Sequence, residues 1–366
     1  MRRLIRRGRR ATDEGAVAAT LAVVLGTGVL LGMAAVVVDV GRLYAEREQL
    51  QSGADAAAWT VAETCVQEPD QCADQAASAG QYADVNAADG AADIAEICGR
   101  GSGLPTCPAA ATNRTACLGT APATGNYAEV RTSTRRSDGD TLLPATFARF
   151  FTGDDSGTSV AACSRVAWGP PRSTSGLAVT FSTCEWNEAT DSGATVWSSS
   201  AGVPPTSLER VIRLKGSAGE TTCPAGPSGW DAPGGFGWLD DDTGDCTTTV
   251  ELDGSFGGDT GSSVSIACRA ALSALRDERR AGLIAIYDGI TGTGTGTTYH
   301  LAGFASFVLT GYYQAGFTAP SWLTGRHWCG GSERCLYGYF TRGLVPTTGI
   351  AIDGPDLGLS VVTLVG

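Results

Sequence analysis

Residues 16–38 read Ala-Val-Ala-Ala-Thr-Leu-Ala-Val-Val-Leu-Gly-Thr-Gly-Val-Leu-Leu-Gly-Met-Ala-Ala-Val-Val-Val, 23 positions without a charge. As a helix rising about 1.5 Å per residue, the run would span roughly 34 Å, slightly more than a ~30 Å hydrocarbon core. Arg2, Arg3, Arg6, Arg7, Arg9 and Arg10 precede it. Clustered arginines hold their end of a span in the cytoplasm, so the sequence predicts a single-pass anchor with the chain beyond Asp39 outside. A cleaved secretory signal is the competing reading. Its apolar region would run only about 7–15 residues and close with a small-residue cleavage site, whereas this run is longer and continues without a break into further helix.

From Val40 the pattern stays helical. Val40, Leu43, Leu50, Ala54, Ala57 and Val61 recur at three-, four- and seven-residue steps, with Glu46, Arg47, Glu48 and Gln51 mostly off that stripe. Ala, Leu, Glu, Arg and Gln favour helix, and Gly41 and Gly53 are places where it would bend. The stripe would pack against the chain's own ectodomain or against other anchors in a filament.

Several pieces of this segment resemble the N-terminal module of Flp pilus-assembly TadE/TadG-like proteins, bacterial membrane proteins associated with tight-adherence pili. They are Asp13-Glu14-Gly15-Ala16-Val17-Ala18, Val37-Val38-Asp39-Val40-Gly41-Arg42-Leu43-Tyr44, and Gln49-Leu50-Gln51-Ser52-Gly53-Ala54-Asp55-Ala56-Ala57-Ala58. The resemblance covers residues 12–62. Gly234-Gly235-Phe236-Gly237-Trp238-Leu239-Asp240 and Tyr299-His300-Leu301-Ala302-Gly303-Phe304-Ala305 resemble actinobacterial members of the same group. The resemblance implies a structural or accessory role in pilus assembly. The partners implied are other pilus or pilus-assembly membrane proteins, met through the N-terminal helix, and the lipid bilayer. Prepilin-type cleavage follows a glycine and usually wants a Glu five residues on; a cut after Gly15 would place Thr20 there, so a permanent anchor is expected.

Beyond Val38 the chain carries 20 Lys and Arg (26 less the six arginines) against 36 Asp and Glu (38 less Asp13 and Glu14), a balance of about −16. That argues against nucleic acid and against anionic lipid surfaces. All 12 cysteines follow the apolar run, which points to disulfides formed in an oxidising compartment. Cys65 with Cys72 and Cys329 with Cys335 are close enough for small loops, and Cys223 with Cys246 would staple a Gly-rich aromatic segment.

The fold expected is α+β: a long transmembrane, pilin-like helix followed by a disulfide-rich, β-rich ectodomain. The division expected is a cytoplasmic tail (1–15), a membrane span (16–38), a juxtamembrane helix (39–63), a Cys-containing α/β region (64–168), a linker (169–176) and a β-rich unit (177–366). Within the α/β region, 64–125 reads as irregular and cystine-held. Strands are expected at 127–134 and 159–168, with a helix at 142–151 between them. Beyond the linker, strands are expected at 177–182, 208–214, 247–252, 283–287 and 299–313, and a helix at 266–280. The continuous apolar run 299–313 would be buried on both faces.

Candidate sites are few. Asp154-Asp155-Ser156-Gly157-Thr158 mimics a metal-ion-dependent adhesion loop, but the residues before it read as a helix end and turn, so a polar turn is favoured. Asp240, Asp241, Asp242 and Asp245 offer oxygens to Ca²⁺ without EF-hand spacing. His327 with Cys329 and Cys335 is the best zinc set, and it is a weak one. An extracellular hydrolase would need His300 or His327 as base, but no Gly-x-Ser-x-Gly elbow occurs. Thr291–Gly296 lacks the Gly-Lys-Ser/Thr of a phosphate loop, and Asn113-Arg114-Thr115 is a chance sequon. Trp186, Trp197, Trp230, Trp238, Trp322 and Trp328 would serve the core or, in a surface adhesin, a glycan-binding face. No residue is assigned a catalytic, cofactor-binding or metal-binding role, and no enzyme activity is expected.

Overall fold

The computed structural model describes residues 13–101, 103–108, 117, 119–147, 149, 157–198, 202–214, 236–241, 244–259, 264–292, 297–346 and 352–366. It is a mixed α+β chain, with a long apolar helix leading into a β-rich, disulfide-bonded remainder.

Helix α1 runs Asp13–Gln67 without a break, 55 residues or about 82 Å at 1.5 Å per residue. Over residues 16–38 every side chain except those of Gly32 and Ala35 faces solvent. That run is long and apolar enough to cross a bilayer. From Leu50 onward the helix is progressively buried, as the stripe predicted, whereas Val40 is exposed. Gly53 is not a bend. A Cβ there would lie 3.1 Å from Ala83 Cα, so the glycine lets helix α2 (Ala76–Asn86) lie close against α1. Pro69 opens the 3-10 turn Pro69–Asp74, and the Cys65–Cys72 disulfide folds that turn back onto the helix.

Five strands form the first sheet in the order β1 (Ala92–Arg100), β2 (Asn126–Thr134), β3 (Ala161–Gly169), β15 (Leu359–Leu364) and β14 (Gly343–Pro346). All neighbours are antiparallel except β14 and β15. α1 covers one face: Ala57, Ala58, Val61 and Ala62 meet Ala128, Val130, Val166, Trp168 and Val362. The alanines allow close approach, and each fully buried valine contributes roughly 1.5–3 kcal/mol. The alternation in β2 sends Ala128 and Val130 toward the helix and Glu129 and Arg131 to the other face. On that face Glu129 bridges Arg131 (2.6 Å) and Arg165 (2.7 Å), both ends of the latter pair being less than a tenth exposed. The Cys98–Cys107 and Cys117–Cys163 disulfides tie the connection between β1 and β2 to this face, and Arg165 donates to the Gly119 carbonyl.

The second sheet has a ring at its centre. β10 (Ala281–Thr291), β5 (Val179–Ser182), β7 (Phe236–Leu239), β9 (Ser255–Asp259) and β11 (Thr298–Gln314) pair in that order, and β11 pairs again with β10. β13 (Cys335–Thr341) and β6 (Arg210–Arg213) extend the sheet, and β12 (Phe317–Ala319) doubles back on β11. Each strand edge in the ring has a partner, which removes exposed edges. β11 is buried on both faces over residues 303–312, as its continuous apolar run predicted. Tyr299 reaches from β11 across β9 to β7: a Cβ on Gly237 would meet its hydroxyl, and a Cβ on Gly258 its ring. Tyr287 of β10 stands beside it, ring centroids 5.0 Å apart. Helix α3 (Thr183–Thr190) begins on Ser182, whose hydroxyl accepts from the Glu185 amide, and helix α4 (Ile266–Glu278) begins likewise on Ser265.

Several expectations need correction. Residues 64–125 are not wholly irregular, since α2 and β1 lie there; the run Ala76-Ala77-Ser78-Ala79 is helix-forming and Ile94 to Ile97 lies in a paired strand. Residues 142–147 are not helical, because Leu143 exchanges backbone hydrogen bonds with Thr158 and the chain bends at Thr146 and Phe147; of the rest of the expected helix Arg149 is helical, and 148, 150 and 151 lie outside the described residues. The linker shrinks to Pro170–Arg172, because Ser173–Leu177 forms strand β4 against β8 (Thr247–Glu251). Cys246 pairs with Cys268 on α4, not with Cys223, which lies outside the described residues. β14 and β15, expected with the second unit, complete the first sheet instead, since β3 offers β15 a full antiparallel edge.

Candidate functional site

The motif residues beyond the apolar run act together where α1 leaves it. Asp39 accepts from the Thr146 amide at 2.9 Å and from the Phe147 amide at 3.0 Å, so its carboxylate holds two backbone N–H groups of a loop more than a hundred residues away. One turn later Arg42 donates to the Thr146 hydroxyl. Asp39 and Arg42 therefore clasp one loop from one helix face, which explains their spacing. Gln49 accepts from the Ala88 amide at 2.8 Å. Gln51 donates to Asp55 at 2.9 Å and to the Cys163 carbonyl at 3.0 Å. The Leu50 carbonyl accepts from Thr132. A polar groove of 380 Å³ lies alongside, lined by Arg42, Glu46, Gln49, Asp89 and Arg136 among others. Burial raises the Glu46 carboxyl above its ordinary value; Asp89 adds to that, while Thr134 and Arg42 oppose it.

These contacts fix α1 to a loop, to the turn that follows α2 and to two strands. Residues 10–63 match the family model described as Putative Flp pilus-assembly TadE/G-like. It is the family that the motifs resemble. The match supports a role related to Flp pilus assembly and, with the apolar helix, anchoring in a membrane. No curated protein and no solved structure matches the chain. The TadE/G-like segment thus ends at Glu63, four residues before α1 does.

Outside that segment the remaining candidates scatter. Asp241 accepts from the Gly244 and Cys246 amides, and Asp245 from both the amide and the hydroxyl of Thr247, so these carboxylates cap their own turn. Cys329 and Cys335 are joined to each other, which removes the thiolates that zinc would need at His327. His300 Nδ1 lies 2.6 Å from Asp288 Oδ1, a half-exposed pair on β11 and β10. His327 meets the Tyr313 ring edge-on, on a different element. Trp186 and Trp238 are buried, and the indole N–H of Trp186 donates to the Leu357 carbonyl. Trp328 donates to Glu209, a buried carboxylate that also accepts from Thr310, Ser321 and Thr324. Glu209 organises the 321–328 loop, and nothing local in the sequence signals it. Residues 1–12, Asn113 to Thr115, Asp154 to Ser156, Trp230, Gly234, Gly235, Asp242 and 293–296 lie outside the described residues.

Proposed function

We propose that this chain is a single-pass membrane protein, with its Arg-rich end in the cytoplasm and its ectodomain outside, serving Tad/Flp pilus assembly as a structural or accessory component without a catalytic step. The observation that carries the reading is the continuity of α1. One helix supplies an exposed apolar segment of membrane length and then, without a joint, the motif residues that grip the ectodomain. The six arginines support the orientation, and twelve cysteines beyond the apolar run support an oxidising compartment for the ectodomain. In this reading the exposed face of residues 16–38 meets lipid and the helices of other pilus-assembly proteins.

The test is mass spectrometry of surface filaments sheared from producing cells, beside the membrane fraction left behind. Peptides confined to the membrane fraction, with the Arg-rich start intact, are expected for a permanent anchor. Peptides in filaments starting near Ala16 would make it a processed filament subunit. Loss of the protein with unchanged pili would remove the assembly role.

A further inference from the structure

A cleft of 430 Å³ opens where the two sheets meet, bounded by Trp197, Trp322 and Tyr339 from the second unit and by residues at the start of β14. Its size is in the range of small-ligand sites. Three observations on its lining agree. The two indoles are pinned, Trp197 donating to the Gly202 carbonyl and Trp322 to the Leu309 carbonyl, so their positions are set before anything binds. The charges are of one sign. Arg279 and Arg342 line the cleft, and no Asp or Glu is among its described lining residues, in an ectodomain with a balance of about −16. Neither arginine forms an ion pair among the described residues; Arg279 lies over the Trp322 ring at 4.7 Å, which leaves guanidinium edges to bond. Finally, Ser306 lines the cleft at 1% exposure, and its hydroxyl has no hydrogen-bond partner among the described residues. A buried hydroxyl in that state is a donor and acceptor awaiting a polar ligand.

We propose that this cleft binds a carboxylate-bearing saccharide. Fixed aromatic rings suit the apolar face of a sugar ring, a lone buried hydroxyl suits a sugar hydroxyl, and guanidiniums lining the same cleft suit a carboxylate through charge-assisted bonds. An apolar ligand would leave Ser306 and both arginines unsatisfied. A cationic ligand would meet two like charges. The inference does not rest on the pilus role.

The test uses the full chain in detergent micelles, titrated calorimetrically with a galacturonic acid tetrasaccharide and with its fully methyl-esterified form. The acid form is expected to bind at least about tenfold more tightly than the neutral ester, and Arg342→Gln to lose about tenfold or more for the acid while leaving the ester unaffected. Ser306→Ala should weaken both without lowering the melting temperature, since no bond inside the protein is lost. Arg279→Gln provides a second charge deletion should Arg342→Gln fold poorly. Equal affinity for acid and ester, binding indifferent to both arginine variants, or no binding of either sugar would overturn the proposal.

Discussion

The Tyr299 hydroxyl occupies the place where a Cβ on Gly237 would stand. The two residues are 62 apart in sequence (299 less 237). Gly237→Ala is therefore expected to destabilise the ring of strands by about 1–3 kcal/mol through overpacking. In a Tyr299→Phe background, which removes the clashing oxygen, the same change should cost less. Urea unfolding of the four members of this cycle measures the coupling, and strict additivity would contradict the contact.

Glu129 holds two arginines on a face closed by disulfide-tied loop. Glu129→Gln should cost about 3–5 kcal/mol, because Arg165 would remain buried without its counter-charge. Glu96→Gln, at the exposed end of the same network, should cost about 1 kcal/mol or less. Denaturant midpoints of the two variants, compared at one pH, check the order.

Burial pushes the Glu185 carboxyl up to about 7, with Glu188 adding and Arg213 opposing. In the unfolded chain it titrates near its ordinary value of 4.5. The neutral form is thus favoured by folding. Its contribution is complete below about pH 4.5, is lost as pH rises to about 7, and does not change above that; the loss is about 3 kcal/mol. Glu185→Gln should flatten that part of the stability profile between pH 5 and 8. A variant with the wild-type slope would show that another group is responsible.

Asp39→Ala leaves the Thr146 and Phe147 amides without their acceptor. Because the clasp is largely exposed, the melting temperature should fall by only a few degrees, consistent with about 0.5–1.5 kcal/mol. The loop at 142–147 should become cleavable by protease several-fold faster. Unchanged cleavage would mean that the loop is held by other contacts.

What the sequence disclosed, and what it hid, follows from the range of the interactions. The anchor is legible because 23 uncharged residues can only be lipid- or core-facing, and β11 because apolar residues crowd both of its faces. The buried half of α1 shows in the recurrence of Leu50, Ala54, Ala57 and Val61. Strand β13 is not legible because Cys335-Leu-Tyr-Gly-Tyr-Phe-Thr is buried throughout and has no alternation to read. β4 reads as linker because Ser173-Thr-Ser-Gly has turn composition, and only its partner β8 makes it a strand. The clasp on Asp39 and the four donors around Glu209 join residues roughly a hundred positions apart, and no local pattern records such distances. The partner of Cys246 is only 22 positions away, yet it is chosen by where α4 docks rather than by any local pattern.

The absence of any joint in α1 has a mechanical consequence. A protein tethered by a flexible linker can swivel freely above its membrane, and a tug on it is absorbed by the slack. Here the same rod that passes along the first sheet continues into the apolar segment, so the folded part has no slack between them. With the apolar end held in a membrane, the tilt and height of the folded part would follow that end, and a twist of one would be carried to the other.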